Sequence, residues 1–160
     1  MRVLGLDLST VSTGWAVVTD CLALVDYGIF DYTSTTIKKN KLLLFESMLT
    51  AVIEQHKPFD LIVIEDTFVG KNAATTKILS RLSGVAIVTS FKFSPTSTIA
   101  LIPVASLRSA TFPKQKVDKE YVYGYISTKY KLGSVKNDVT DAIVAASFPH
   151  LKQVETKWIQ

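Results

Sequence analysis

"LIVIED", residues 61–66, sets four consecutive apolar residues ahead of two acids. The run is too short for a helix and too apolar to face water, so it predicts a buried central strand that ends in charge. Upstream, Leu42, Leu43, Phe45, Leu49, Val52 and Ile53 recur at helical spacing from about Thr36 to His56, and Pro58 stops the pattern. A helix ahead of LIVIED makes it parallel to an earlier strand, because a parallel pair needs a crossover of about that length. The earlier strand is VLGLDL at 3–8, followed by GWAVVT at 14–19 and the aromatic and β-branched run CLALVDYGIFDY at 21–32. Short links join these three and predict an antiparallel meander.

Downstream, a helical pattern runs from Asn72 to about Phe91, with Ile78, Leu79, Leu82, Val85 and Val88 as its core face and Gly84 as the place of a close helix contact. TIALIPV at 98–104 reads as a further strand, and helices are expected over about 114–130 and 138–148. The predicted fold is α/β, a mixed five-stranded sheet made of a three-strand meander and then two parallel strands, with helices packed on it. Residues 1–160 are read as a single domain in which 151–160 form a loose tail.

Composition agrees with that picture, since 160 residues at 48% apolar content suffice for one well-buried domain. No apolar run approaches the roughly 20 residues of a membrane-spanning helix, and MRVLGLDLS lacks the layout of a signal peptide. An intracellular protein without a membrane partner is expected. Cys21 is the only cysteine, which excludes an internal disulfide and a cysteine-based zinc site; a small buried residue is its expected role. Charge is unevenly spread. Residues 1–69 carry 5 Lys/Arg against 9 Asp/Glu, residues 70–136 carry 11 against 2, and residues 137–160 carry 2 against 3. A basic middle between acidic ends suits a polyanion, with nucleic acid the first candidate.

The acids have two readings. In VKNDVTDAIV, residues 135–144, Asp138 could cap a helix with Asp141 three positions on. Alternatively both bind a metal ion, provided further carboxylates meet them. Asp7 ends VLGL and Glu65 ends LIVI, so both sit at carboxyl ends of adjacent parallel strands, where ligands of open α/β sheets bind. If the last helix packs Ile143, Val144 and Ala145 on the sheet, its first turn brings Asp138 and Asp141 to the same edge. Four carboxylates together repel one another, and a hard divalent cation such as Mg²⁺ removes the conflict. Two such ions can serve phosphodiester hydrolysis. His56 and His150 are assigned to helix ends, and Trp15 to the core.

GLD at 5–7, VIEDTFVGKNAATTKILSRLSGVAIV at 63–88 and NDVTDAIVAA at 137–146 resemble the RuvC-type Holliday junction resolvases of the ribonuclease H-like (retroviral integrase) superfamily, which has phage members. The likeness extends from Met1 to about His150. It implies a homodimeric endodeoxyribonuclease that resolves four-way and other branched DNA junctions by paired symmetric nicks, using two Mg²⁺ ions per site, with Mn²⁺ as a substitute. Water would attack in line with the departing 3′ oxygen, with no covalent intermediate, in a bacterial cytoplasm whether the gene is cellular or phage. Asp7, Glu65, Asp138 and Asp141 match the family's catalytic, metal-binding acids. Phe68 matches an aromatic at the junction centre, and Arg108, Lys114 and the nearby Lys116 fall where basic residues contact the backbone around the cut. Lys71 and Lys77 would face the DNA arms, and Ile78 and Leu82 would join a dimer interface. Leu8 and Ser9 replace the family's usual Pro-Gly, and the loop between Arg108 and Lys114 is short, so relaxed cut-site specificity extending to flaps and forks is expected. Two other classes remain open at this stage: an ATPase lobe of the actin-like or sugar-kinase kind, from the likeness of GLDLSTVSTGWAVV to a first phosphate loop, and a non-catalytic junction-binding module.

Overall fold

The computed structural model describes residues 1–33, 41–66, 72–155 and 159. The strands β1 (Val3–Leu8), β2 (Ser12–Thr19) and β3 (Ala23–Asp31) come first, then α1 (Lys41–His56), β4 (Leu61–Asp66), α2 (Ala73–Phe93) and β5 (Thr98–Pro103). Three helices close the chain: α3 (Val104–Thr111), α4 (Lys119–Tyr130) and α5 (Asn137–Leu151). The five strands form one sheet in the order β3-β2-β1-β4-β5, antiparallel among the first three and parallel from β1 through β4 to β5. The mixed sheet expected from LIVIED and its neighbours is therefore present.

Strand alternation sorts the side chains into two cores. Leu4, Leu6, Val17, Ile62, Ile64 and Ile99 face a layer made by α1 and α2, with Phe45, Leu49, Ile53, Leu82 and Ala86 packed on them. Val3, Ala16, Val18, Leu61, Val63, Ala100 and Ile102 face the opposite layer of α3, α4 and α5. By the same period of two, Gly5 and Asp7 share the side of Val3, Glu65 that of Val63, and Ser12 and Gly14 that of Ala16. The two strand-end acids thus point toward α5.

The α5 helix is buried from Val139 to Phe148, because it lies on β1 and β2 and is flanked by α3 and α4. Two glycines let it come close. A Cβ on Gly5 would stand 2.3 Å from the Ala142 carbonyl oxygen and 2.4 Å from the Ala146 nitrogen, and one on Gly14 would stand 1.9 Å from the Asp138 carbonyl oxygen. Helix backbone therefore rests directly on strand backbone at both points, with Ala142 and Ala146 as the small residues at the crossing.

Several expectations need correction. Helix α3, at Val104–Thr111, follows β5 without a loop, where only the end of a strand was expected. Its single buried residue, Leu107, leaves no periodic apolar signal. Helix α4 begins at Lys119 rather than near 114, since Asp118 caps it by accepting a hydrogen bond from the Tyr121 N–H at 2.8 Å. Lys114 precedes it in a left-handed conformation, φ 67°. Gly84 makes no close helix contact, as a Cβ there would meet nothing within 4 Å. Cys21 is exposed, because the chain reverses between β2 and β3 through left-handed conformations at Cys21 and Leu22. The expected start of α1 near Thr36 lies outside the described residues. Asn72 does cap α2, its side chain accepting from the Ala74 and Thr75 N–H groups. Beyond α5, Ile159 forms an isolated antiparallel bridge with Ala100 on β5. Among the described residues no helix is long and apolar enough to cross a membrane.

Gly14→Ala should lower unfolding free energy by about 3 kcal/mol or more, since neither backbone can yield without lifting α5 from the sheet. A urea-melt midpoint within error of the wild type would show that the helix does not sit where described.

Candidate active site

Asp7 is the fifth residue of β1 and lies opposite Gly14 of β2. Glu65 stands one position beyond Ile64, which is paired in parallel register with Leu6. The two acids therefore occupy neighbouring places at the same edge. Asp138 and Asp141 reach this edge on the first two turns of α5. The capping reading of Asp138 does not hold: Lys136 is the N-cap residue, no side chain caps the helix end, and Asp138 instead accepts a hydrogen bond from the Ser12 hydroxyl.

Asp7, Glu65 and Asp141 each feel the negative charge of other acids at this edge. Asp7, 6% exposed, has its pKa raised well above the usual aspartate value, first by burial and then by the charges of Glu65, Asp141 and Asp138. Burial is also the main cause at Glu65, whose pKa is pushed up to about 7, with Asp141 and Asp138 adding to the shift and Lys119 and Arg108 opposing it. Asp141 is raised by burial too, against the pull of Lys119 and Arg108. These two cations flank Asp141: Arg108 Nη2 lies 3.6 Å from Oδ1, and Lys119 Nζ lies 3.5 Å from Oδ2. Burial alone would lower the Lys119 pKa, yet the carboxylates of Asp141, Asp7 and Glu65 raise it.

Among the described residues no three His, Cys, Asp or Glu side chains stand grouped closely enough to enclose a metal ion as they are placed. The chemistry of the donor set nonetheless fits a hard divalent cation. It is all carboxylate oxygen, largely buried, with every raised pKa marking a charge that lacks sufficient positive partner.

The predicted DNA contacts divide. Arg108 is half-buried and turned to Asp141, and its Nε is buried without a hydrogen-bond partner. Lys77 on α2 and Lys114 and Lys116 in the α3–α4 loop are exposed, and the ion pairs at Asp141 are made by Arg108 and Lys119 instead. Phe68 and Lys71 lie outside the described residues. Leu82 is fully buried in the core under α2 and is not available to a partner; Leu43, Val88 and Phe91 are the exposed apolar residues of that layer. Sequence reasoning missed Lys119. It had placed the residue inside a helix starting near 114, whereas the Asp118 cap puts it at the helix's first position, facing the acids.

Acidic strand ends, an acidic helix laid across them and a β3-β2-β1-β4-β5 sheet define the ribonuclease H-like class of nucleases. The sequence profile of the family described as "Crossover junction endodeoxyribonuclease RuvC" matches residues 3–148, and the chain belongs to that family. It is similar to the crossover junction endodeoxyribonuclease RuvC of Caldicellulosiruptor saccharolyticus, 27% identical over 152 residues that make up 91% of this chain and 90% of that one. It is also similar to the protein of the same description from Chloroflexus aggregans, 35% identical over 91 residues, 55% of each chain. Among solved structures, that of T. thermophilus RuvC in complex with a Holliday junction substrate superposes with a TM-score of 0.78 at 16% identity, covering 94% of this chain and 93% of that one. The yeast mitochondrial Holliday junction resolvase Ydc2 superposes with a TM-score of 0.60 at 14% identity, covering 91% and 77% respectively. At such identities the superpositions establish the shared fold. Family membership sets aside the ATPase-lobe reading.

Because Asp7 and Glu65 hold protons more tightly in the folded chain than in the unfolded one, the stability they contribute is complete below about pH 4; it is lost as pH rises, for Glu65 through about 7. In EDTA, Asp7→Asn should therefore melt higher than the wild type by about 3–8 °C at pH 8, with the gap closing toward pH 4. Equal melting temperatures across that range would mean that the carboxylates do not repel one another.

Proposed function

We propose that the protein is a metal-dependent, structure-selective endodeoxyribonuclease that resolves four-way DNA junctions, and other branched DNA, by paired symmetric nicks in a bacterial cytoplasm. The observation that carries this reading is the meeting of Asp7, Glu65, Asp138 and Asp141, drawn from three separate elements, in a chain whose family is that of crossover junction endodeoxyribonucleases. A pure junction binder would gain nothing from negative charge placed beside phosphates.

Asp7, Glu65, Asp138 and Asp141 would hold Mg²⁺, two ions per site with Mn²⁺ able to substitute. When bound, the ions supply Lewis-acid stabilisation of the developing phosphoryl charge and a lowered pKa for water. The chain's own residues do the rest. Arg108 and Lys119, now paired with Asp141, carry positive charge at the acidic edge and can pass it to phosphate oxygens once the carboxylates are otherwise neutralised; the unpartnered Arg108 Nε is a ready donor for such an oxygen. Lys77, Lys114 and Lys116, all exposed, would bind the backbone of the arms. Direct hydrolysis by water, with departure of the 3′ oxygen and no covalent intermediate, is the course this reading takes.

The homodimer would form through α1 and α2. Leu42, Leu43, Glu46, Arg81, Gly84, Val85, Val88 and Thr89 line a shallow groove of about 510 Å³ there, and Leu43 and Val88 are 64% and 66% exposed. Gly84, bare of any neighbour, would let a second backbone approach.

Purified protein should nick a synthetic four-way junction in Mg²⁺, do nothing in EDTA and leave a linear duplex intact. Asp7→Asn should lose cleavage by about a thousandfold or more while still shifting the junction in a gel; wild-type nicking by this variant would remove the assignment. Raising salt from 50 to 200 mM should weaken junction binding by roughly a thousandfold if six or more phosphates are contacted. Val88→Glu should sediment as a folded monomer and lose paired nicking. A Val88→Glu protein that remains dimeric would place the interface elsewhere.

A further inference from the structure

We propose that Ser12 is a positioning residue for Asp138 and, through it, sets the protein's affinity for divalent cations. The inference rests on the reading of the acid cluster as a metal centre. Ser12 opens β2 and is 2% exposed, and its hydroxyl donates to Asp138 Oδ2 at 2.5 Å across 126 positions of sequence. A buried hydroxyl must find an acceptor, and an ionised carboxylate is among the strongest it can find. Since one oxygen of Asp138 is fixed by this bond, rotation about the last side-chain torsion is stopped and the other oxygen is aimed in one direction.

The first turn of α5 has need of such a restraint. It has no side-chain cap, so the acids it carries are not anchored from within the helix. What holds it comes from the sheet. Ser12 of β2 is paired in register with Asp31 of β3, and Asp31 Oδ2 binds Lys136 Nζ at 3.1 Å. The two facing strand residues therefore grip the residues just before and just inside the helix, one through Lys136 and the other through Asp138, while Gly14 takes the Asp138 carbonyl between them. Of these three contacts only the Ser12 bond acts on a carboxylate of the acid cluster. Hydrogen bonds that orient metal ligands in this way typically govern affinity by about 10–100-fold.

The test compares Ser12→Thr and Ser12→Val, which fill the same volume and differ by the hydroxyl, with Ser12→Ala as a smaller companion should the valine variant not fold. Mn²⁺ binding is measured by calorimetry, melting temperature in EDTA, and the Mg²⁺ concentration for half-maximal junction nicking in parallel. Ser12→Thr should match the wild type. Ser12→Val and Ser12→Ala should bind Mn²⁺ about tenfold or more weakly and need correspondingly more Mg²⁺, with nicking restored at saturating metal. Wild-type Mn²⁺ affinity in a variant lacking the hydroxyl overturns the inference, even if that variant melts lower, and leaves the metal centre standing. Absence of Mn²⁺ binding by the wild type removes the metal centre and this inference with it.

Discussion

The acidic edge depends on how closely the backbone of α5 lies on β1 and β2. Helices normally stand off a sheet by the height of the side chains between them; here Gly5 and Gly14 remove that height at two places one helical span apart. The helix consequently enters low over β2, at Asp138, and crosses β1 above Gly5, at Ala142. Asp141, the residue just before the crossing, is carried to the strand that bears Asp7. Register supplies the remaining acid, because the parallel pairing of Leu6 with Ile64 sets Asp7 and Glu65 at the ends of matched strands. Backbone geometry, more than any attraction between side chains, assembles a group of charges that would otherwise separate.

Such a group is a burden on the fold. Burial and mutual repulsion raise the pKa values of Asp7, Glu65 and Asp141; Lys119 opposes the rise at all three and Arg108 at Glu65 and Asp141, without cancelling it, and both cations pair directly with Asp141 alone. Proteins tolerate local conflicts of this kind where function requires them and offset them elsewhere. The offset is visible in the two cores on either face of the sheet, which contain fully buried Phe45, Leu49, Ile62, Ile64, Leu107 and Phe148. A cation entering the cluster would gain what the folded chain has already lost in bringing the acids together.

How much of this was legible in the sequence follows from which forces left a pattern. LIVIED and VLGLDL are buried on both faces, so their apolar runs announced the central parallel pair directly, and the acids at their ends were conspicuous against that background. Helix α1 buries Phe45, Leu49, Val52 and Ile53 and showed them as periodicity, whereas α2 buries Leu82 together with the small residues Ser83, Ala86, Thr89 and Ser90, so of its expected face Leu82 is buried, Ile78, Leu79 and Val85 only partly, and Val88 is exposed. The α3 helix buries one side chain, so nothing periodic marked it. The loss of α3 and the early start given to α4 also hid Lys119, whose importance comes from a helix terminus and not from its neighbours in sequence. Glycine was ambiguous: Gly5 and Gly14, which lie inside expected strands, make the closest approaches, while Gly84, expected at a close helix contact, has nothing within 4 Å of its Cβ position. Ser12 sat in a Ser/Thr-rich link that reads as a turn, and only the crossing of α5 gave it a partner.

The bridge between Ile159 and Ala100 concerns a different hazard. With β3 and β5 as its outermost strands, the sheet ends at two rows of backbone groups able to recruit a foreign strand. Beyond α5, Ile159 lies antiparallel to Ala100 and occupies one place of the β5 row, where a foreign strand would otherwise pair. One place on that edge is thus covered by a residue remote from every acid discussed above.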